Sequence, residues 1–406
     1  MPALQERRLL LLLAAIQFVN VLDFVIMMPL GPLFIDDLRI SPAELGLLVS
    51  SYTIAASLSS LAFGRWVNRQ PRKTALLISF GVFGIATFFC GVAHEYWTLL
   101  TARIIAGMAG GPATSVVLTI VADATAPERR GRALATVQSA FPVASVLGVP
   151  AGLYLATAGS WRTPFLVLAA AAVLLWIFIA LRLPRFDSHL QSALGDSNST
   201  WETLRLVVAD RASRRAYLTH LLVMAGGFAL IPFLSPYLVN NRGVSQDDLG
   251  LFYLFGGIIT FLMMQVIGRV TDRFGSLRVY ATVVTLYSLN MQIILWYPIE
   301  GLALIPLFSL YMMFNSARMV PLITLYSKIP PPETRGAFMS YLSTVQHLGA
   351  GVGTLIAGLF LTLDATGKLQ NFNAAGEASV LIGLSVIFFA RTLKAQGDGD
   401  PKPIAP

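Results

Sequence analysis

Ser41-Pro42-Ala43-Glu44-Leu45-Gly46-Leu47 returns as Ser245-Gln246-Asp247-Asp248-Leu249-Gly250-Leu251, 204 residues further along the chain. At the same spacing Gly64-Arg65-Trp66-Val67-Asn68-Arg69 meets Gly268-Arg269-Val270-Thr271-Asp272-Arg273. At a spacing of 205, Pro127-Glu128-Arg129-Arg130-Gly131 meets Pro332-Glu333-Thr334-Arg335-Gly336. Three matches at nearly one spacing, each at the same place in its half, mark a duplication. Two related halves with a site between them are a common plan for carriers.

The residues between these segments set the kind of fold. Of 406 residues, 55% are hydrophobic and 12% are charged, about half the charge share of a soluble domain. The apolar runs reach the roughly 20 residues a helix needs to cross the hydrocarbon core. Twelve spans are read: 9–31, 43–64, 74–93, 97–124, 132–157, 162–183, 215–240, 247–268, 277–297, 301–327, 336–362 and 374–391. The expected fold is an all-α integral membrane protein of two pseudo-symmetric six-helix bundles, 1–183 and 215–393. A polar linker, 184–214, joins them, and 394–406 form a tail. The first apolar run continues to Leu30 without a small-residue cleavage site, so it reads as a span and not as a signal peptide. Ser199-Thr200-Trp201-Glu202 in the linker is a capping-box pattern, which predicts a short amphipathic helix on the membrane surface. Cys90 is the single cysteine. It excludes an internal disulfide and a thiolate metal cluster, and it reads as a small core residue.

Charge sets the expected orientation. On the side of the N-terminus fall 23 of the 29 lysines and arginines; Arg39, Arg162, Arg242 and Lys368 fall on the other side, and Arg103 and Arg318 lie within spans. By the positive-inside rule both termini are cytoplasmic. The net charge of +8 is largely this asymmetry. A nucleic-acid surface is a poor reading, because the basic residues are scattered over many short loops.

Several motifs carry a family resemblance. Gly64-x3-Asn68-Arg69-x2-Arg72-Lys73 resembles the loop between spans two and three of the major facilitator superfamily, and Gly268-x3-Asp272-Arg273-x-Gly275 resembles its second copy. Arg103-x3-Gly107-x3-Gly111 is similar to the span-four motif. Gly148-Val149-Pro150-Ala151-Gly152, followed by Ser160-Trp161-Arg162, resembles the drug and sugar proton antiporters of that superfamily, with Val149 standing between a glycine and proline that are usually adjacent. In the family the loop acid and arginine clamp helix ends in one transport state. The resemblance thus assigns gating to Gly64, Asn68, Arg69, Asp123, Gly268, Asp272 and Arg273, with bends at Gly148 and Pro150. Asn68 stands where an acid is usual, and Asp123 is expected to hold Arg69 instead.

An ionisable group inside a span costs roughly 3 kcal/mol or more, so it is a functional candidate by default. Asp23 and Arg103 both fall roughly 10 Å below the outer surface at 1.5 Å per residue. They are expected to pair, and with His347 they are the candidates for proton coupling. Gln17, Asn20 and Asp23 recur every three residues, a polar stripe that fits a cavity wall. Asn315, Arg318 and Gln346 are the second half's cavity candidates. A static pair that only locks helices is the competing reading of Asp23 and Arg103.

The function expected is secondary active transport by alternating access, with small molecules such as drugs or sugars exported against protons. Uptake or exchange of a small organic anion, resting on Arg103 and Arg318, is the alternative. An integral-membrane enzyme lacks any metal cluster or nucleophile motif here, and a channel ranks equally low. No cofactor or metal is called for. The expected partners are the substrate, protons and the bilayer, with no nucleic acid. The chain is expected to act as a monomer in a bacterial inner membrane.

Overall fold

A computed structural model describes residues 3–63, 66, 69–184, 186–187, 210–330 and 332–397. Gly64, Asn68 and the amphipathic helix expected around 199–202 lie outside the described residues. The first half contains α1 (Ala3–Val25), α2 (Gly31–Leu38), α3 (Pro42–Ala62), α4 (Arg72–Gly91), α5 (Tyr96–Ala124), α6 (Pro127–Gln138), α7 (Ala140–Val143), a π-turn (Ala144–Gly148), α8 (Val149–Ala158) and α9 (Thr163–Arg182). The second contains α10 (Arg211–Phe228), α11 (Ile231–Arg242), α12 (Leu249–Phe274), α13 (Ser276–Trp296), a 3-10 turn (Gly301–Leu304), α14 (Ile305–Ala317), α15 (Met319–Tyr326), α16 (Pro332–Phe360) and α17 (Phe372–Gly397). Two short strands, Thr362–Leu363 and Leu369–Gln370, pair antiparallel between α16 and α17. Among the described residues, eleven helical segments are long and apolar enough to cross a membrane; α16 is a further helix of 29 residues.

Four expected spans are not single helices, and proline explains each break. A proline lacks the N–H that a helix interior needs, and it biases the residue before it away from helical angles. The run 9–31 ends its first helix at Val25, turns through 26–30 around Pro29, and resumes at Gly31. The run 215–240 breaks at 229–230 before Pro232, and the run 301–327 breaks at Arg318, three residues before Pro321. In 132–157 the π-turn Ala144–Gly148 stands just before Pro150. Asp23 therefore sits in the last turn of α1, two residues before its end at Val25.

Glycines set how closely the helices approach. A Cβ on Gly107 would meet the Tyr52 backbone oxygen, and one on Gly111 would stand 2.6 Å from the Ala56 oxygen. Hence α5 lies backbone to backbone on α3, the close approach that small residues four apart allow. In the second half Gly349 and Gly353 seat α16 on α10 in the same way, with Gly353 facing the Ala225 backbone oxygen. The first repeated segment does its local work at the start of α3. Ser41 Oγ accepts from the Glu44 N–H at 3.3 Å while the Ser41 N–H donates to Glu44 Oε2 at 2.8 Å, a reciprocal capping box.

The halves touch mainly along α3 and α16. Gly46 and Gly358 cross with a Cβ-to-Cα approach of 3.2 Å, and further along Ser57 Oγ donates to the Thr344 carbonyl at 3.1 Å. Gln246 also reaches Asp36 Oδ2 at 3.1 Å. Glu6 pairs with Arg129 at 3.1 Å at the start of α1. The last turns of α17 pack with the start of α10, the end of α15 and the start of α16 through Leu393, Tyr217, Tyr326 and Phe338. The start of α1 and the end of α17 therefore lie on one face, called here the terminal face. Contacts between the halves concentrate toward the opposite face.

Candidate functional site

Asp23 and Arg103 meet. Arg103 Nη1 donates to Asp23 Oδ2 at 2.6 Å, and both side chains are fully buried. Thr87 Oγ1 on α4 donates to the other carboxylate oxygen, Oδ1, at 3.1 Å. The guanidinium lies over the Tyr52 ring, 4.5 Å from its centre, an arrangement that adds attraction from the ring's negative face. Tyr52 in turn donates to Asn20 Oδ1 at 2.7 Å, and Asn20 Nδ2 donates to the Gly110 carbonyl at 2.9 Å and to Thr114 Oγ1 at 3.1 Å. Four helices thus supply one polar chain inside the first bundle. The glycine contact of α5 on α3 is what brings Arg103 within reach. Arg103 Nε and Nη2 have no oxygen acceptor among the described residues; the buried Cys90 thiol lies beside the guanidinium.

Between the halves lies a cavity of about 380 Å³. Phe24, Phe141, Phe228, Phe261, Phe308 and Tyr311 supply aromatic walls, and Met28, Met264 and Met312 supply flexible ones. Its polar lining includes Gln138, Gln265 and Asn315, and no charged side chain lines it among the described residues. Asp23, Arg103, Gln17 and Asn20 are not among its lining residues; Phe24, stacked on Tyr52 at 5.4 Å, stands between. The polar stripe of α1 therefore faces the interior of its own bundle in this conformation. Gln17 is buried and its Oε1 finds no donor among the described residues.

In the second half Arg318 is buried and donates from Nη2 to Asn315 Oδ1 at 2.6 Å. Its Cζ is 4.7 Å from the centre of the Tyr287 ring. Asn315 lines the cavity and Arg318 stands behind it. Gln346 is exposed and His347 half-buried on α16; neither lines the cavity.

Comparison with known proteins places this architecture. The family model of the Major Facilitator Superfamily matches residues 13–354 and, as a second match, 216–390. The chain belongs to the Major Facilitator Superfamily. It is 24% identical to the uncharacterized MFS-type transporter YceJ of Bacillus subtilis, over 89% of this chain and 91% of that one. It is 26% identical to a chloramphenicol resistance protein of Streptomyces lividans, over 90% of this chain and 91% of the relative. Among solved structures it resembles a single-substitution mutant of the nucleoside transporter NupG, with a TM-score of 0.77 at 13% identity, covering 95% of this chain and 99% of that one.

In this superfamily member no ion pair joins the loop residues among the described residues. Arg69, Asp272 and Arg273 are exposed on the terminal face, and Gly268 has open space around it. Asp123 does not hold Arg69 as expected. It pairs with Arg72, whose Nε stands 3.3 Å from Oδ2, because Arg72 sits at the start of α4 beside the end of α5 and is itself buried. Gly148 and Gly152 fit against Leu22 of α1 and Ile26 of the turn after it, where a Cβ would come within 2.7 and 2.5 Å. The π-turn before Pro150 holds this stretch of the span, and Gly257 of α12 packs on Val146 within it.

Ser160-Trp161-Arg162 forms a second cluster on the opposite face. Trp161 Nε1 donates to Asp37 Oδ2 at 2.6 Å, and Arg162 Nη1 lies 3.1 Å from the same oxygen. Arg162 Nε also donates to the Ala93 carbonyl at 2.7 Å. The indole hydrogen bond, with help from the Arg162 guanidinium, holds the Asp37 carboxyl below its usual value against the opposing effect of burial. Sequence reading did not find Asp37, Thr87 or Tyr52. Asp37 is one of two adjacent acids near a span end, and Thr87 and Tyr52 are ordinary residues of apolar runs. Only their contacts distinguish them.

Proposed function

We propose that this carrier exports small apolar or amphiphilic molecules in exchange for protons, by alternating access. The observation that carries the reading is the Asp23–Arg103 pair. It is enclosed in the first bundle, one side chain behind a cavity without charged lining. While the pair is intact, Arg103 and Thr87 occupy both carboxylate oxygens of Asp23. A movement of α1 against α5 that lengthens the 2.6 Å contact frees those oxygens, and the freed carboxylate is the group that exchanges the proton. The same movement displaces Phe24 at the cavity wall, so proton uptake and substrate release are linked through one helix. The aromatic and methionine lining suits ring-bearing molecules of varied shape. The name of the chloramphenicol resistance relative supports export.

On this reading α16 is the twelfth span, the terminal face is cytoplasmic, and the cavity is open toward it. Residues 184–214 link two six-helix bundles. Asp272, Arg273 and Arg69 close the terminal face in the alternate state, and His347 and Gln346 come to the cavity during the exchange. The carrier works as a monomer.

Export into acid-loaded inverted vesicles tests the reading. Asp23→Asn is expected to abolish accumulation driven by the pH gradient while retaining counterflow of labelled substrate against unlabelled. Full gradient-driven accumulation by this variant would overturn it.

A further inference from the structure

Arg318 is an enclosed cation for which the second half supplies no acid. Among the described residues no carboxylate pairs with it. Its neighbours are the Asn315 amide oxygen and the face of Tyr287, both of which carry only partial negative charge. Its Nε finds no acceptor among the described residues. A buried charge normally has a full counter-charge, because desolvation costs more than neutral contacts recover.

The repeat shows what is missing. The residue 204 positions after Asp23 is Gly227, and the Arg318 guanidinium occupies the room above it. A Cβ on Gly227 would stand 2.6 Å from Nη2, and a Cβ on Gly383 would stand 3.7 Å from Nη1. Two glycines flank the cation where the first half places an aspartate. The route to it from the cavity is short: Asn315 touches both, and Tyr311, which also lines the cavity, packs against Tyr287 with ring centres 5.6 Å apart.

We propose that Arg318 is an anion site, completed by a single negative charge that enters from the cavity past Asn315. That charge comes from the carboxylate of a transported molecule or from a free monovalent anion. The guanidinium offers Nε and Nη donors to either. The apolar cavity next to it suits the ring of an aromatic carboxylate. The site shares no residue with the Asp23–Arg103 pair, so it stands or falls independently of proton exchange.

Thermal unfolding of the purified full-length protein tests it, in sodium chloride, benzoate or gluconate at fixed ionic strength; gluconate is the reference because its five hydroxyls cannot be desolvated into the apolar cavity on the way to Arg318. Benzoate or chloride is expected to raise the melting midpoint saturably by about 2–5 °C over gluconate. Saturation by benzoate at concentrations well below those needed for chloride identifies an organic carboxylate as the source; equal or tighter saturation by chloride identifies a free anion. Arg318→Gln is expected to lose the response. Gly227→Asp, which keeps the arginine and gives it an internal counter-charge, is expected to melt higher than wild type in gluconate and to lose the response as well. It decides the matter if Arg318→Gln fails to fold. A wild type indifferent to both anions, or a full response retained in Gly227→Asp, overturns the proposal.

Discussion

Two arginines enclosed among apolar helices divide the chemistry of this chain. Arg103 has an acid at 2.6 Å. Removing one partner of a buried pair leaves the other uncompensated, at a cost of about 3–5 kcal/mol, whereas removing both is far milder. Asp23→Asn is therefore expected to lower the melting midpoint clearly, and the double variant Asp23→Asn with Arg103→Gln to recover most of it without recovering gradient-driven export. A melting series across the four proteins of this cycle measures the coupling. Arg103→Lys keeps the charge but loses the flat stack on Tyr52 and the forked donor geometry. Gradient-driven export by this variant is expected to fall at least about tenfold, as initial rates in the same vesicles would show. These positions were legible in the sequence because a charge within an apolar run is expensive and hence rare. Thr87 and Asn20 complete the polar chain without any such mark. A hydroxyl or an amide within a span has many unremarkable uses, and only the fold selects among them.

At the level of elements, the duplication and the apolar periodicity were enough to place nearly every helix. The breaks were not, although their prolines were in plain view. Pro112 lies inside α5 without ending it, while Pro29 ends α1. The difference depends on what packs around each freed carbonyl, which no local pattern reveals. The glycines that seat α5 and α16 leave no room for a methyl group. Gly107→Ala and Gly353→Ala are each expected to cost about 1–3 kcal/mol, read as lower melting midpoints. Gly131→Ala is the control, since nothing lies within 4 Å of a Cβ there. On the opposite face, the lowered carboxyl of Asp37 implies stability that is present above its unfolded value near 4 and is lost as pH falls through its lower folded value. The destabilisation caused by Asp37→Asn at pH 7 is thus expected to shrink as the pH falls from the unfolded value through the lower folded one. Parallel melts of variant and wild type across that range would check this, and the effect is small because half of the carboxylate is exposed.

For the whole molecule, the arrangement of the halves predicts which face admits reagents. Gln138 and Gln265 line the cavity and are exposed, and the single native thiol, Cys90, is buried. Gln265→Cys is expected to react with a membrane-impermeant maleimide added on the terminal face and to resist it from the opposite face, against an unreactive wild-type background. Saturating substrate together with an outward-driving proton gradient should slow the reaction. Labelling from the opposite face at an equal rate would mean that the halves rest the other way. The crossing of Gly46 and Gly358 bears on how such a change is made. Where two backbones meet without interlocking side chains, the joint resists sliding little and tilting less. It acts as a fulcrum near one end of two long rods. From Gly358 to Thr344 the rod runs about 20 Å at 1.5 Å per residue, so a tilt of about 15°, the size seen when whole subunits rotate in a switching protein, swings the far end by about 5 Å. A modest tilt at a bare crossing becomes the width of a doorway.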